Sequence, residues 1–361
     1  LAVNLMVEKH NVNIANELKK LAEKRSENNQ ETACLFNLVI YLPDPKRLDY
    51  IREIYRVIAH RFPCRIFLII SDPGYSKDFH EISVSQEIVE KEQGYVGHEL
   101  IEIKLALNCL DRASFLVIPY LFPDVPIYLL WAQDPTTERT ILPRLEPLAE
   151  RLIFDSECAA NLQNSAHHIL KNYQHFPIEM IDLNWAMISR WRDVLFTVFD
   201  SKEKVEQLKH SKHISIGYIY SPDDCFRHSN IPSIYLQGWL ASCLGWRFIS
   251  KEGDRLTYYA GTHKVVIELN GLTRETDLIP GAIVEIEVNT EDGHTYHFNR
   301  VEEQEKVVIQ VSSLDRCEIP TSLQMHTLNS GRTFLRDVFF HPIGEHYYNM
   351  LKIIENVPWH T

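Results

Sequence analysis

Between Ala33 and Asp200, apolar runs of strand length alternate with amphipathic stretches of helix length, and this alternation restricts the fold more tightly than any other feature. Leu35 to Leu42 is a near-continuous apolar run that suits a strand buried on both faces. Asp44-Pro45 then supplies an N-cap and a first-turn proline. Leu48, Ile51, Ile54, Tyr55 and Ile58 follow at helical spacing. Arg65 to Ile70 reads as the next strand, ended by the turn residues Ser71-Asp72-Pro73-Gly74. Residues 99–107 alternate as a strand through Ile101, Ile103, Leu105 and Leu107. Ile127 to Trp131 is a further strand, Asp134-Pro135 caps a helix near 138–149, and Leu152 to Phe154 is a strand leading to a helix near 157–172. One long helix is expected over Asn184 to Phe199. The pattern predicts an α/β N-terminal domain, a largely parallel sheet flanked by helices. A weakly amphipathic N-terminal helix is expected at 11–28.

The charged stretch Lys202 to Lys212 is read as a linker, which gives an α/β domain at 1–205 and a second domain at 206–361. In the second half His213 to Tyr220 reads as a strand and Ile234 to Leu244 as a helix. Gly253-Asp254, Ala260-Gly261 and Asp292-Gly293 separate β-rich runs where hairpin turns need a positive φ. With a last helix near 344–355, this predicts a C-terminal α+β domain built on an antiparallel meander.

The chemistry-bearing motifs are mostly missing. Glycine is scarce, with 13 in 361 residues, and neither GxGxxG nor GxxxxGK[ST] occurs, so the α/β half lacks the usual phosphate-cradling loop. GxSxG and HExxH are also absent. His294 and His297 would face opposite ways on a strand and could not share a metal. No catalytic residue, cofactor or metal site is therefore expected. Asp111-Arg112, Asp155 and Asp182 could sit at the carboxyl ends of strands, where α/β ligands bind, although caps and turns are the plainer role. The net charge of -12 opposes nucleic acid and anionic lipid as partners. Prolines and Asp124 interrupt the apolar stretch Phe115 to Trp131, and the opening residues do not read as a secretory leader. Seven scattered cysteines fit a reduced, cytoplasmic protein. Trp185, Trp191, Trp239 and Trp246 fit core packing, but Trp and Arg also dominate interface hot spots.

The run Asp182-Leu183-Asn184-Trp185, then Trp191-Arg192 and Phe199-Asp200, resembles the DLNWxRLxxWRExxxxxFD block of the bacterial OpcA glucose-6-phosphate dehydrogenase assembly family. Pro63-Cys64-Arg65, Pro123-Asp124-Val125-Pro126 with Leu130-Trp131, Asp155-Ser156, Gly238-Trp239-Leu240-Ala241 and Leu244-Gly245-Trp246 resemble further family blocks in the same order. Leu130-Trp131 stands where the family often has a double Trp, and Ala186-Met187-Ile188 departs from the block. The resemblance implies a non-catalytic partner that binds glucose-6-phosphate dehydrogenase as an allosteric activator of the oxidative pentose phosphate pathway. Asp124, Trp131, Asp182, Asn184, Trp185, Trp191 and Arg192 are the candidate partner-binding residues, with Trp191-Arg192 the first pair to probe. Thioredoxin-type redox control is linked to family members in photosynthetic bacteria, and no cysteine here maps onto that role. The alternative is a sugar-phosphate-binding sensor or enzyme that uses the α/β domain.

Overall fold

The computed structural model describes residues 3–5, 12–28, 33–76, 78–91, 94–134, 140–172, 178–222, 228–315, 317–325, 338–339 and 343–359. In chain order the elements begin with β1 (Val3–Leu5), α1 (Ile14–Glu27), β2 (Phe36–Leu42), α2 (Leu48–Ala59), β3 (Cys64–Asp72), β4 (His80–Lys91) and β5 (Gly94–Ala106). They continue with α3 (Ala113–Val117), β6 (Ile127–Trp131), α4 (Leu142–Leu145), β7 (Arg151–Phe154), α5 (Leu162–Asn172), β8 (Glu179–Asp182), α6 (Leu183–Met187), α7 (Ser189–Val198) and α8 (Lys202–Lys209). The last are β9 (Ser211–Ile219), α9 (Ile231–Leu244), β10 (Arg247–Glu252), β11 (Arg255–Ala260), β12 (His263–Leu272), β13 (Ile283–Thr290), β14 (Thr295–Val301), β15 (Lys306–Ser312), β16 (Thr321–Gln324) and α10 (Glu345–Glu355). Contacts divide the chain into one compact unit of residues 1–155 and 176–181 and another of 156–175 and 182–361. Among the described residues no helix is long and apolar enough to cross a membrane.

The first unit carries an eight-stranded sheet in the order β1-β4-β5-β3-β2-β6-β7-β8. Pairings β5–β3, β3–β2, β2–β6 and β6–β7 are parallel, and only β1–β4 and β4–β5 are antiparallel among the described ladders. Every residue of β2 is buried, as its unbroken apolar run requires. Asp44 caps a short 3₁₀ turn at Pro45–Arg47 that runs into α2. Arg65 is anchored at the start of β3. Its Nε and a terminal nitrogen reach Glu99 Oε2 at 2.6 Å, another nitrogen donates to the Tyr120 carbonyl, and the guanidinium lies 3.8 Å over Phe122. The helix expected near 138–149 is cut to α4 and a 3₁₀ turn at Glu146–Leu148, with Pro143 and Pro147 starting the two pieces; residues 135–139 lie outside the described set.

The second unit carries an eight-stranded sheet in the order β10-β11-β12-β9-β13-β14-β15-β16, antiparallel except for β12–β9. The turns after β10, β11 and β13 hold Gly253, Gly261 and Gly293 at positive φ, as hairpin geometry demands. Gly238 on α9 brings α9 against Met350 and Ile354 of α10. The stretch read as one helix over Asn184 to Phe199 is two, α6 and α7, broken at Ile188 with φ −86 and ψ 0. That residue lies outside helical geometry, and Trp191 Nε1 just beyond it donates to the Ile283 carbonyl at 3.1 Å. Lys202 to Lys209, read as a linker, forms the helix α8, capped by Ser201. Gly281 has φ +84, and a Cβ there would lie 2.6 Å from the Ser229 carbonyl. Gly281→Ala should lower the stability of this unit by about 1–3 kcal/mol, read as a fall in the urea midpoint.

Candidate functional site

Counted from β2, the strands β2, β3, β5, β6, β7 and β8 take the 3-2-1-4-5-6 order of dinucleotide-binding sheets, with the topological switch point between β2 and β6. A dinucleotide-binding protein places a glycine-rich turn after the first of these strands, opening onto a helix N-terminus. Here that turn is Pro43-Asp44-Pro45-Lys46. The Asp44 carboxylate accepts from Lys46 N at 3.0 Å and occupies the place where phosphate oxygens would meet backbone N–H groups. Two prolines remove two such donors, and the carboxylate repels an anion. One turn further on, Arg47 donates to Asp155 Oδ2 at 2.9 Å, and both side chains are buried. Asp155 thus sits at the carboxyl end of β7, and its charge is answered by Arg47 from the chain itself.

In the second unit Asp182 is fully buried and accepts from at least four donors. Ser156 Oγ and Asn184 N donate to Oδ1 at 2.9 and 3.0 Å; the Tyr235 and Tyr347 hydroxyls donate to Oδ2 at 2.7 and 3.1 Å. Asn184 Nδ2 donates in turn to Ser156 Oγ at 3.0 Å. Burial, with the Asp182 charge adding to it, pushes both tyrosine hydroxyls well above their ordinary range, so they stay protonated donors. Trp185 stacks edge-on against Tyr347, with ring centres 5.4 Å apart. The Arg192 guanidinium lies 3.5 Å over Trp185.

The seven residues singled out from the sequence therefore separate. Asp182, Asn184, Trp185 and Arg192 form one cluster, in which only Arg192 is partly exposed. Trp191 is buried on another side of α7, beside a cavity of about 590 Å³ that Ile188, Ile283 and Arg300 also line. In the first unit Trp131 is fully buried against Tyr41, and Asp124 is exposed in a turn with φ +60. Tyr235 and Tyr347 were not singled out, because nothing in their local sequence shows that two distant helices meet one carboxylate. Phe196 was also missed. It lies one turn beyond Arg192 on α7 and is 79% exposed, so the two share a helix face.

Among the described cysteines all six are free thiols. Burial raises the pKa of Cys34, Cys64 and Cys243, which disfavours the nucleophilic thiolate. Cys225 lies outside the described residues. Tyr347→Phe should cost about 1.5–3 kcal/mol through loss of one donor to a buried carboxylate, and Asp182→Asn should cost more, because its amide turns donor toward donor. Tryptophan fluorescence during urea unfolding measures both.

The model of the glucose-6-phosphate dehydrogenase subunit N-terminal domain matches residues 56–171, and that of the C-terminal domain matches residues 178–332. The chain is 24% identical over 213 residues to an "OxPP cycle protein OpcA" of Synechocystis sp., covering 58% of this chain and 42% of that protein. It is likewise 24% identical over 198 residues to the protein of the same name from Synechococcus elongatus, covering 54% and 42%. The match thus spans less than half the length of these curated relatives. Among solved structures, a mutant 3-ketoreductase from Actinomadura kijaniata, in complex with TDP-benzene and NADP, has a TM-score of 0.51 at 11% identity, covering 89% of this chain and 96% of that one. At that identity the likeness is one of fold alone. The two domain models match in sequence order across most of the chain, and the ordered motif blocks fall within them; the chain belongs to the OpcA glucose-6-phosphate dehydrogenase assembly family.

Proposed function

We propose that this chain is a non-catalytic, cytoplasmic partner of glucose-6-phosphate dehydrogenase that binds the enzyme and favours its active state, promoting the oxidative pentose phosphate pathway. The observation that carries this reading is the turn Pro43-Asp44-Pro45 at the switch point of a dinucleotide-type sheet. The loop that would hold a cofactor's phosphates carries a carboxylate and two prolines, and the adjacent Asp155 is bound to Arg47. The family membership supplies the partner.

An activator works by binding the active conformation more tightly than the inactive one. A tenfold to hundredfold shift needs only about 1.4–2.7 kcal/mol of coupling. The contact surface we assign is the outer face of α7. Arg192 is held flat on Trp185, and Phe196 stands in solvent one turn on. A pre-positioned arginine beside an exposed aromatic has the composition of an interface hot spot. Of the residues singled out from the sequence, Asp182, Asn184 and Trp185 act in this reading by holding Arg192 in place.

Size-exclusion chromatography of the chain mixed with its cognate dehydrogenase, with activity assayed across the peak, tests the proposal. Co-elution with a lower KM for glucose 6-phosphate, or a higher kcat, is expected. Phe196→Asp should weaken co-elution at least tenfold with an unchanged melting temperature, since the side chain has little to lose on the folded surface. Separate elution with unaltered kinetics overturns the reading. So does turnover of a sugar phosphate with NADP by the chain alone, which would favour the sensor-or-enzyme alternative.

A further inference from the structure

The cavity beside Trp191 is lined by a cation that the chain leaves unanswered. On β14 the side chains of Tyr296 and Phe298 are buried, and Arg300 is the next residue on that face. The β14–β15 register sets it opposite Val307, which is fully buried. An arginine therefore stands where the alternation calls for an apolar side chain. Its Nε is buried and has no hydrogen-bond partner among the described residues. Glu302, two residues on, is engaged elsewhere: Oε1 accepts from Arg274 at 3.0 Å and Oε2 from Thr276 Oγ1 at 2.6 Å. Burial pushes the Arg300 pKa down, and the Arg274 charge acts in the same direction against the pull of Glu302 and Glu305. A guanidinium taken from water with its donors unmet is costly, and an anionic oxygen is what relieves it.

The cavity around this cation has the size and lining of a small-molecule pocket. Its volume of about 590 Å³ falls in the ordinary range for such sites. Ile188, Trp191, Leu278 and Ile283 give it apolar walls. The Trp191 ring is fixed there, because its Nε1 donates to the Ile283 carbonyl. The exposed residues Glu275, Asp277 and Glu303 also line it and set carboxylates at its mouth. A plain anion drawn to Arg300 would be opposed by those charges. A plain cation drawn to the mouth would leave Arg300 unanswered. A molecule that carries both charges on an apolar body answers each.

We propose that this cavity binds a large apolar α-amino acid, with its carboxylate on Arg300, its ammonium toward the acidic wall and its side chain against Trp191. A guanidinium offers a carboxylate two parallel charge-assisted hydrogen bonds, a geometry that a point charge lacks. Glu302 and Glu305 are close enough to Arg300 to act on its charge, so the acidic wall begins beside the guanidinium. An ammonium one carbon away from the bound carboxylate reaches it. The site lies wholly within the second unit and on the buried side of α7. The proposal is therefore independent of any role of the outer face of α7.

Titration of the full chain with L-phenylalanine and with L-leucine, followed by calorimetry and by tryptophan fluorescence, tests this. Saturable binding of one equivalent is expected, with a rise in melting temperature. Phenethylamine lacks the carboxylate and 3-phenylpropionate lacks the ammonium, and each should bind about tenfold more weakly than L-phenylalanine. Arg300→Met keeps an apolar stem and removes the charge. It should weaken L-phenylalanine about tenfold and leave phenethylamine unchanged, a selective loss that general damage to the fold does not produce. The melting temperature of the ligand-free variant should be no lower than that of the parent, since an unanswered charge leaves the interior. A chain that binds neither amino acid saturably overturns the proposal. So does equal binding of phenethylamine and L-phenylalanine by the parent, or an L-phenylalanine affinity that survives Arg300→Met.

Discussion

The second unit is organised by one buried carboxylate. Asp182 gathers a serine, a backbone amide and two tyrosine hydroxyls from four places in the chain. A carboxylate stripped of water is expensive unless each lone pair is answered, and these four donors answer it. Every donor is thereby fixed in position. Tyr347 carries Trp185 against it, Trp185 carries Arg192, and the only partly exposed member of the chain of contacts is the last. Thus a polar centre that meets no solvent determines what the surface of α7 presents.

The first unit sets a dinucleotide-type strand order beside a turn of different composition. Its strand order is that of sheets that hold dinucleotides, and its switch point lies in the usual place. At that point the backbone donors a phosphate would use are reduced by proline, and an aspartate stands over those that remain. The buried pair of Arg47 and Asp155 closes the neighbouring strand end with an interaction internal to the protein. Likeness to a reductase at this identity is a statement about fold and not about reaction.

Much of the architecture was legible from one sequence, because periodicity reports burial directly. β2, β3, β6 and β7 fall where the apolar runs place them, and the positive-φ glycines stand at the hairpins their dipeptides announced. Asp155 lies at a strand end, as the alternation suggested. What was not legible depends on register or on distant partners. The break at Ile188 leaves the helical pattern on both sides intact, so periodicity runs through it unnoticed. β4 pairs with β5 through a polar, mixed sequence whose strand character shows only in its ladder. The motif DLNW stands out as a string, yet its meaning lies in Tyr235 and Tyr347, which are 53 and 165 residues from Asp182 along the chain.

The path of the backbone has a bearing on where the chain can be divided. The chain passes from the first unit to the second after Asp155, returns before β8, and passes over again at Asp182. Helix α5, made in the first excursion, is tied by Gln163 Nε2 to the Glu355 carbonyl at the far end of the sequence. A gene fragment that starts at Asp182 would lose both that helix and the Ser156 donor to the buried aspartate. The two units are interleaved along the chain, so a cut at any one point from Asp155 to Asp182 divides at least one of them.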